Sequence, residues 1–466
     1  MSYATNGSQD PAASLTANKY YFLAWRWHFY AGLYVAPFLI MLAVTGLAMM
    51  WISWGAGIAD ERLAIPAGQA PQAVSTLQAA AEATLPGSQA FQYVEPLAAD
   101  RVAVIAVQSG DTKTGIALNP YTAQVVHSFP WRGGWYNFLD DIHGSLLIGT
   151  IGDRLVEIAA SLGILLIVTG LYLHWPRNGN GWRKTLLPQT RATGRNLWKS
   201  LHGVIGLWMA PVLLIFLLSG LSWAGIWGGK LVQAWNTFPA EKWDAPLSDK
   251  THSDLNRAPS AEVPWAIELT PMPVSGSPAG QAAISGPVTA DNVTAFARQL
   301  GFDGRFQLHF PKTEDGVWTI SHDSMSNDGP NPADDRTLHI DRFTGNVLAD
   351  LRYADYSPYA KAMAWGIAFH EGDLGVWNLT LNTAFCLSVI FISLSGLVMW
   401  WKRRPSRAAR LAAPPKPANL PLWKTASALV VVLGVLFPMA GLAILLALAV
   451  DLTLLRAVPP LKRAMS

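Results

Sequence analysis

Five long runs without a charged residue constrain the fold of this chain more than any other feature. They cover residues 27–59, 158–176, 200–229, 374–401 and 425–450. A helix needs about 20 predominantly apolar residues to cross the hydrocarbon core of a bilayer, and the runs are of that length or longer. The composition agrees, since 51% of the 466 residues are hydrophobic and only 14% are charged. We therefore expect an α-helical membrane protein in which at least four helices span the lipid bilayer.

Lysine and arginine predict the orientation of these spans. The connections 177–199 and 402–421 contain several basic residues and no acidic one, whereas 60–151 and 230–373 carry more acids than bases. By the positive-inside rule the first two connections are cytoplasmic, and the larger segments lie on the other side of the membrane. The formal charge of +3 reflects this asymmetry and implies no nucleic-acid partner.

The spans alternate with two larger segments, each of which we expect to be a small α+β module with a helix on an antiparallel sheet.

The segment after Lys424 is long for one crossing and short for two, so it predicts either a hydrophobic hairpin or a helix kinked at Pro438. The expected order is a cytoplasmic N-terminus 1–26, span 1 at 27–54, module 1 at 55–137, an interfacial helix and span 2 at 138–176, a cytoplasmic loop 177–199, span 3 at 200–229, module 2 at 230–365, an interfacial segment and span 4 at 366–401, a cytoplasmic loop 402–421, the C-terminal hydrophobic segment 422–455 and a tail 456–466.

A repeated motif indicates that the four spans form two duplicated halves. His28 with Gly32 in span 1 matches His202 with Gly206 in span 3, and a Thr/Ser-Gly-Leu motif recurs in all four spans. Ionisable side chains at membrane depth are costly and indicate a functional site. Two imidazoles brought together are what a metal or haem iron needs, and a glycine at i+4 lies on the same helical face. A flat macrocycle could therefore approach the backbone there.

Further histidines extend this pattern. His143 and His370 precede spans 2 and 4 at matching positions, which predicts a second pair near the outer surface, or else a polar or metal-binding site there. His174 lies at the inner end of span 2, where it could replace an inner ligand, bind a haem propionate or face lipid headgroups. The lone Cys386 excludes covalent haem attachment, so any haem must be non-covalent. Surface or strand positions are predicted for the remaining histidines, which are His127, His252, His309, His322 and His339.

In this order the motifs resemble the PepSY-associated transmembrane proteins, some of which act as inner-membrane ferric-siderophore reductases. The resemblance covers roughly residues 20–455. Besides the motifs above it includes His143-Gly144, His370-Glu371-Gly372, the Trp-Trp-Lys-Arg-Arg-Pro sequence at 400–405 and two Asn/Asp-x-x-Thr-x-x-Val turns. It implies two haem b groups, one held by His28 and His202 and one by His143 and His370, with PepSY-like modules in the periplasm of a bacterial cell.

The expected function is transmembrane electron transfer from a cytoplasmic reductase or the quinol pool to a periplasmic ferric siderophore. An aromatic and cationic lip would suit such a bulky, often anionic chelate; its candidates are Trp131, Arg132, Trp135 and Tyr136. The alternative for these four residues is a loop that grazes the membrane. The alternatives for the whole chain are a membrane-anchored binding or regulatory protein, and a siderophore transporter without redox chemistry.

Overall fold

The computed structural model describes residues 11–58, 61–177, 181–236, 238–255, 263–404, 411–415 and 423–458. The helices are α1 Pro11–Gly55, α2 Val74–Thr84, α3 Gly134–Ser145, α4 Thr150–His174, α5 Trp182–Leu186, α6 Gly194–Leu221, α7 Ala290–Gln299, α8 Pro358–Glu371, α9 Val376–Arg403, α10 Trp423–Leu436, α11 Pro438–Leu452 and α12 Leu454–Ala457. The strands are β1 Gln89–Val94, β2 Ala103–Ser109, β3 Thr112–Leu118, β4 Val125–Pro130, β5 Leu247–Thr251, β6 Pro271–Pro273, β7 Gln281–Ala282, β8 Gln307–His309, β9 Val317–His322, β10 Arg336–Asp341 and β11 Asn346–Arg352.

The chain divides into two compact units. The helical unit consists of Met1–Val44, His143–Gly229 and Thr383–Ser466, and the sheet unit consists of Thr45–Ile142 and Lys230–Asn382. Among the described residues, four helices are long and apolar enough to cross a membrane, namely Tyr20–Gly55, Thr150–His174, Gly194–Leu221 and Val376–Arg403. The prediction of four spans is therefore confirmed.

Small residues let the spans of the helical unit pack closely. A Cβ at Gly163 of α4 would lie 3.0 Å from the Leu217 side chain of α6. Leu217 belongs to a buried apolar cluster with Ala160 and Leu221. Close approach at small residues is a usual way for membrane helices to associate, because lipid provides no hydrophobic driving force between them.

The C-terminal hydrophobic segment is a hairpin, which was one of the two predicted alternatives. Phe437 alone separates α10 from α11, and a Cβ at Gly441 would lie 2.5 Å from the Cα of Gly434. In one continuous helix these residues would be separated by about 10 Å of rise. The two helices therefore fold back on each other. The tip is fixed by Trp227, whose Nε1 donates to the Leu436 carbonyl at 2.8 Å. Most of the predicted loop 402–421 and of the tail 456–466, and residues 1–10 of the predicted N-terminus, lie outside the described residues.

The sheet unit is built on one nine-stranded antiparallel sheet of order β4-β3-β2-β1-β8-β9-β10-β11-β7. The two predicted modules each contribute a helix and a four-stranded meander, α2 with β1–β4 and α7 with β8–β11. They differ from the prediction in one respect, because β1 pairs with β8 and Tyr93 lies opposite Leu308. This seam satisfies backbone groups that two separate sheets would expose at their edges.

The two faces of this sheet differ in chemistry. One face packs on α2 and α7 through a core that includes Leu77, Ile105, Val293 and Ile320. On the other face, β8, β9 and β10 place His309, Thr319 and His339 side by side in register, and all three are buried. A second sheet of β5 and β6 lies in the same unit.

His339 forms a fully buried hydrogen-bonded pair with His252, and the geometry fixes every donor. The His252 Nδ1–H donates to the Thr270 carbonyl at 2.7 Å, since a carbonyl only accepts. The Nε2 of neutral His252 must then accept from the Nε2–H of His339 at 2.8 Å. The Nδ1 of His339 in turn accepts from the Thr319 hydroxyl at 2.9 Å. Burial lowers the pKa of His252 to about 4 and that of His339 well below its usual range.

Candidate functional site

A cavity of about 360 Å³ lies inside the helical unit. It is lined by residues 21–39 of α1, 166–174 of α4, 195–213 of α6 and 392–403 of α9. Most of these residues are apolar, and no acidic residue is among the described ones that line it. His28 and His202 both contribute to the wall, so the structure brings together the first predicted pair.

The two imidazole rings are close enough to bind one metal ion between them. Their centroids are 6.3 Å apart and the ring planes are inclined by 86°. Metal–imidazole nitrogen bonds are about 2 Å long, so two imidazoles on opposite sides of one metal ion have centroids roughly 6 Å apart. The measured separation of His28 and His202 fits that arrangement.

Hydroxyl groups on the neighbouring spans fix the tautomer of each ring. Thr169 Oγ1 donates to the Leu165 carbonyl at 2.6 Å, so it accepts from the Nδ1–H of His28 at 3.0 Å.

The second half of the repeat does the same with a serine. Ser395 Oγ donates to the Ile392 carbonyl at 2.7 Å and accepts from the Nδ1–H of His202 at 2.9 Å. Each ring therefore leaves the lone pair of Nε2 for a ligand, and a hydrogen bond at the other ring nitrogen is typical of histidines that bind metals.

Glycines of the repeat leave room around the rings. A Cβ at Gly170 would lie 3.1 Å from Cε1 of His28, and one at Gly396 would lie 3.6 Å from Cε1 of His202. Both glycines follow the hydroxyl residue that orients the same ring. At Gly206, which lines the cavity, a Cβ would meet nothing within 4 Å, and at Gly32 it would meet only Leu166 at 3.9 Å. Open space beside the backbone is what a flat macrocycle requires.

His174 also lines the cavity but has a different environment. Its Nε2–H donates to the Thr185 carbonyl at 2.9 Å, which leaves Nδ1 as the acceptor nitrogen. A Cβ at Gly203 would lie 2.3 Å from that Nδ1, so the ring packs tightly against α6. Of the three histidines, His28 and His202 therefore have the more accessible free nitrogen.

The outer histidines lie on the two predicted interfacial segments. His143 is near the end of α3 in the helical unit, and His370 is near the end of α8 in the sheet unit. Both are partly buried. Since they belong to different units, the outer pair stays a prediction.

The proposed lip needs one correction. Trp131 is only 1% exposed and packs against Phe91 and Phe129, so it belongs to the core of the sheet unit and cannot form part of an exposed surface. Phe129 is only two residues away, but Phe91 lies on β1, and this long-range contact leaves no local pattern in the sequence. Trp135 is 73% exposed, Arg132 is exposed and Tyr136 is half-buried.

The sequence shows that the Thr/Ser-Gly-Leu motifs repeat, but it does not show that their hydroxyl groups are hydrogen-bond partners of the histidines. The signal that could have shown this is that Thr169 and Ser395 occupy equivalent positions in spans 2 and 4, as His28 and His202 do in spans 1 and 3. Within the described ranges, no group of three or more His, Cys, Asp or Glu residues is arranged to hold a metal ion. A two-histidine site is thus the candidate for this chain.

A family model described as the PepSY-associated TM region matches residues 25–403. That range includes most of the first candidate span, all of the other three, the strands of the sheet unit and every histidine considered above. No curated protein matches the chain.

Proposed function

Because the chain belongs to the PepSY-associated transmembrane family, we propose that it is a di-haem b oxidoreductase of the bacterial inner membrane. In this proposal it takes electrons from a cytoplasmic reductase or a quinol and delivers them to a ferric siderophore in the periplasm. The observation that carries the proposal is the pair of histidines, His28 and His202, which share one cavity with their rings 6.3 Å apart.

The protein's own residues hold and insulate the cofactor in this proposal. His28 and His202 ligate the inner haem, and Thr169 and Ser395 keep their Nε2 lone pairs available by accepting the Nδ1 protons. When bound, haem supplies one-electron transfer. The apolar wall of the cavity excludes water, and burial is one of the means by which a protein sets the reduction potential of haem. No side chain needs to act as acid, base or nucleophile.

The outer half of the proposal rests on the sequence repeat. His143 and His370 would ligate the second haem, and Arg132, Trp135 and Tyr136 would face the chelate. One electron converts one bound Fe(III) to Fe(II). The hard oxygen ligands of a siderophore hold the less highly charged Fe(II) more weakly, so the metal is released.

The proposed orientation places the sheet unit in the periplasm and the start of α6 in the cytoplasm. The charge distribution supports it, because Arg195 and Lys199 lie at the start of α6, and Lys402 and Arg403 lie at the end of α9. Both helix ends line the same mouth of the cavity through Arg195 and Arg403. The inner haem would therefore lie near the side from which electrons arrive.

The spectrum of the purified full-length protein tests the proposal. Protein from haem-replete cells should be red, with a reduced-minus-oxidised spectrum of six-coordinate haem b. His28→Ala and His370→Ala should each lose about half of the haem, whereas the exposed histidine variant His127→Ala should keep all of it. A colourless preparation would reject electron transfer and leave a binding or regulatory role. Full haem content in both variants would reject the pairing.

Substrate specificity needs a second measurement. Protein reduced with dithionite and freed of excess reductant should be reoxidised by ferric siderophores, with Fe(II) trapped by a ferrous chelator. Reoxidation by oxygen or quinone alone, with no Fe(II) formed from any ferric chelate, would retain the haem protein but reject the ferric-siderophore acceptor.

A further inference from the structure

One end of the His28/His202 cavity carries positive charge with no neutralising carboxylate. Arg195, Lys199 and Arg403 line this end, and none of the described residues that line the cavity is acidic. We call these three residues the cationic rim. Arg195 and His202 lie on the same face of α6, because they are separated by two helical turns, or about 10 Å of rise.

The two arginines of the rim are partly buried and incompletely paired. The Arg403 guanidinium lies 5.0 Å from the Trp25 ring and 5.1 Å from the Phe29 ring. One of its nitrogens, Nη2, donates to the Ala412 carbonyl at 2.7 Å. The Nε atoms of both Arg195 and Arg403 are buried, and no described residue accepts a hydrogen bond from either.

This arrangement is electrostatically incomplete. Arg195 and Arg403 carry the same charge and line the same cavity. Neither forms an ion pair with a carboxylate among the described parts of the chain. Both side chains are partly buried, and a cation that is removed from water is costly unless a partner of opposite charge is supplied. The geometry thus calls for an anionic ligand at this end of an otherwise apolar cavity.

We propose that Arg195 and Arg403, with Lys199 beside them, bind the two propionate carboxylates of the haem held by His28 and His202. This inference rests on the proposed function and adds the orientation of the cofactor. Arginine is suited to this task because its planar guanidinium group can donate two parallel hydrogen bonds to one carboxylate. The propionate edge then faces the mouth where α6 begins and α9 ends.

The test compares haem with a form that lacks the two negative charges. Full-length protein from haem-depleted cells is titrated in detergent with iron protoporphyrin IX and with its dimethyl ester, and binding is followed by the six-coordinate spectrum. Wild-type protein should bind the diacid about tenfold or more tightly than the diester, since charge-assisted hydrogen bonds are lost with the ester. The double variant Arg195→Gln, Arg403→Gln should bind both forms with similar affinity.

Matched variants separate charge recognition from damage to the fold. Arg191→Gln removes an exposed cation just before α6 and should keep the wild-type preference. The diester serves as the internal control for folding, because the double variant should still bind it with the wild-type spectrum and affinity. A double variant that retains the full preference for the diacid would overturn the inference.

The same titration distinguishes this inference from the proposed function. If wild-type protein binds neither form with a six-coordinate spectrum, the proposed haem site fails and the inference fails with it. If wild-type protein binds both forms equally, the haem site stands, and the rim is assigned to another anion such as a lipid phosphate. That result would overturn the propionate assignment alone.

Discussion

Thr169 and Ser395 orient the two central histidines. Each hydroxyl donates to a carbonyl of its own helix and accepts from an Nδ1–H, so it orients the ring and leaves Nε2 free. Such outer partners commonly change metal affinity by about 10- to 100-fold when they are removed. The hydroxyls are therefore positioning residues for the proposed haem site.

A serine variant tests this role. Ser395→Ala should weaken haem binding at the inner site about tenfold, because His202 loses the hydroxyl that orients its ring and keeps only the Ile392 carbonyl, 3.1 Å from Nδ1. Ser388→Ala is the matched control, since Ser388 lies on the same helix and its Oγ donates only to the Ala384 carbonyl. Haem content after dialysis against a haem-binding competitor measures the difference. Equal loss from the two variants would show that the Ser395 contact has no special role.

The residues of this site were only partly predictable. The pairing of His28 and His202 could be predicted from the repeated His-x-x-x-Gly motif, because the same motif at the start of two spans places its side chains at similar depth. The buried position of Trp131 does not follow, since its partner Phe91 lies on β1 and this long-range contact leaves no local pattern. The His252–His339 pair was hidden for the same reason. Its members come from different segments that only the folded chain brings together.

At the scale of elements, Glu157 on α4 binds the backbone of the segment that follows α6. Span 3 was predicted to continue to residue 229, but α6 ends at Leu221 and a π-helical turn follows at Trp227–Val232. The backbone N–H groups of Ile226 and Trp227 donate to Glu157 at 3.2 and 3.0 Å. Apolar character persists past Leu221, so hydrophobicity alone could not show where the helix ends.

Removing the Glu157 carboxylate should destabilise this junction. Glu157 is 1% exposed, and it also pairs with Arg154 at 3.2 Å. Glu157→Ala leaves two backbone N–H groups without their acceptor and removes one of the two carboxylates that pair with Arg154. Each N–H group left unsatisfied costs about 1–3 kcal/mol.

Thermal unfolding of the full-length protein in detergent checks this expectation. The control is Asp100→Ala, which breaks an exposed pair with Arg101 that should contribute less than about 1 kcal/mol. Similar midpoints for the two variants would contradict the proposed importance of the junction.

For the whole molecule, the buried histidine pair predicts acid sensitivity of the sheet unit. Burial lowers the pKa of His252 from an ordinary value of 6.5 to about 4. Below pH 6.5 the unfolded chain gains a proton at this residue, whereas the folded chain does not until the pH approaches 4. This residue therefore makes the folded state less stable as pH falls through that window, by about 3 kcal/mol in total.

Comparison between variants isolates this contribution, because the buried carboxyl groups of Asp323, Asp328 and Asp335 have raised pKa values and act in the opposite direction. His252→Asn should lose less stability between pH 6.5 and pH 4 than wild-type protein does, when unfolding is measured at several pH values. His127→Asn changes an exposed histidine and should follow wild type. Parallel pH profiles for all three proteins would exclude His252 as a source of acid sensitivity.

The seam between β1 and β8 affects how the protein is made as well as how it is stabilised. Gln92 and Gln307 are hydrogen-bonded across it at 2.6 Å but are 215 residues apart in the chain. At a synthesis rate of roughly 5–20 residues per second, the ribosome needs on the order of 10–40 s to travel between them. During that interval spans 2 and 3 are inserted while the edge of β1 has no partner. Unpaired strand edges promote aggregation, so the yield of folded protein should depend on translation speed and on chaperones that cover a nascent sheet.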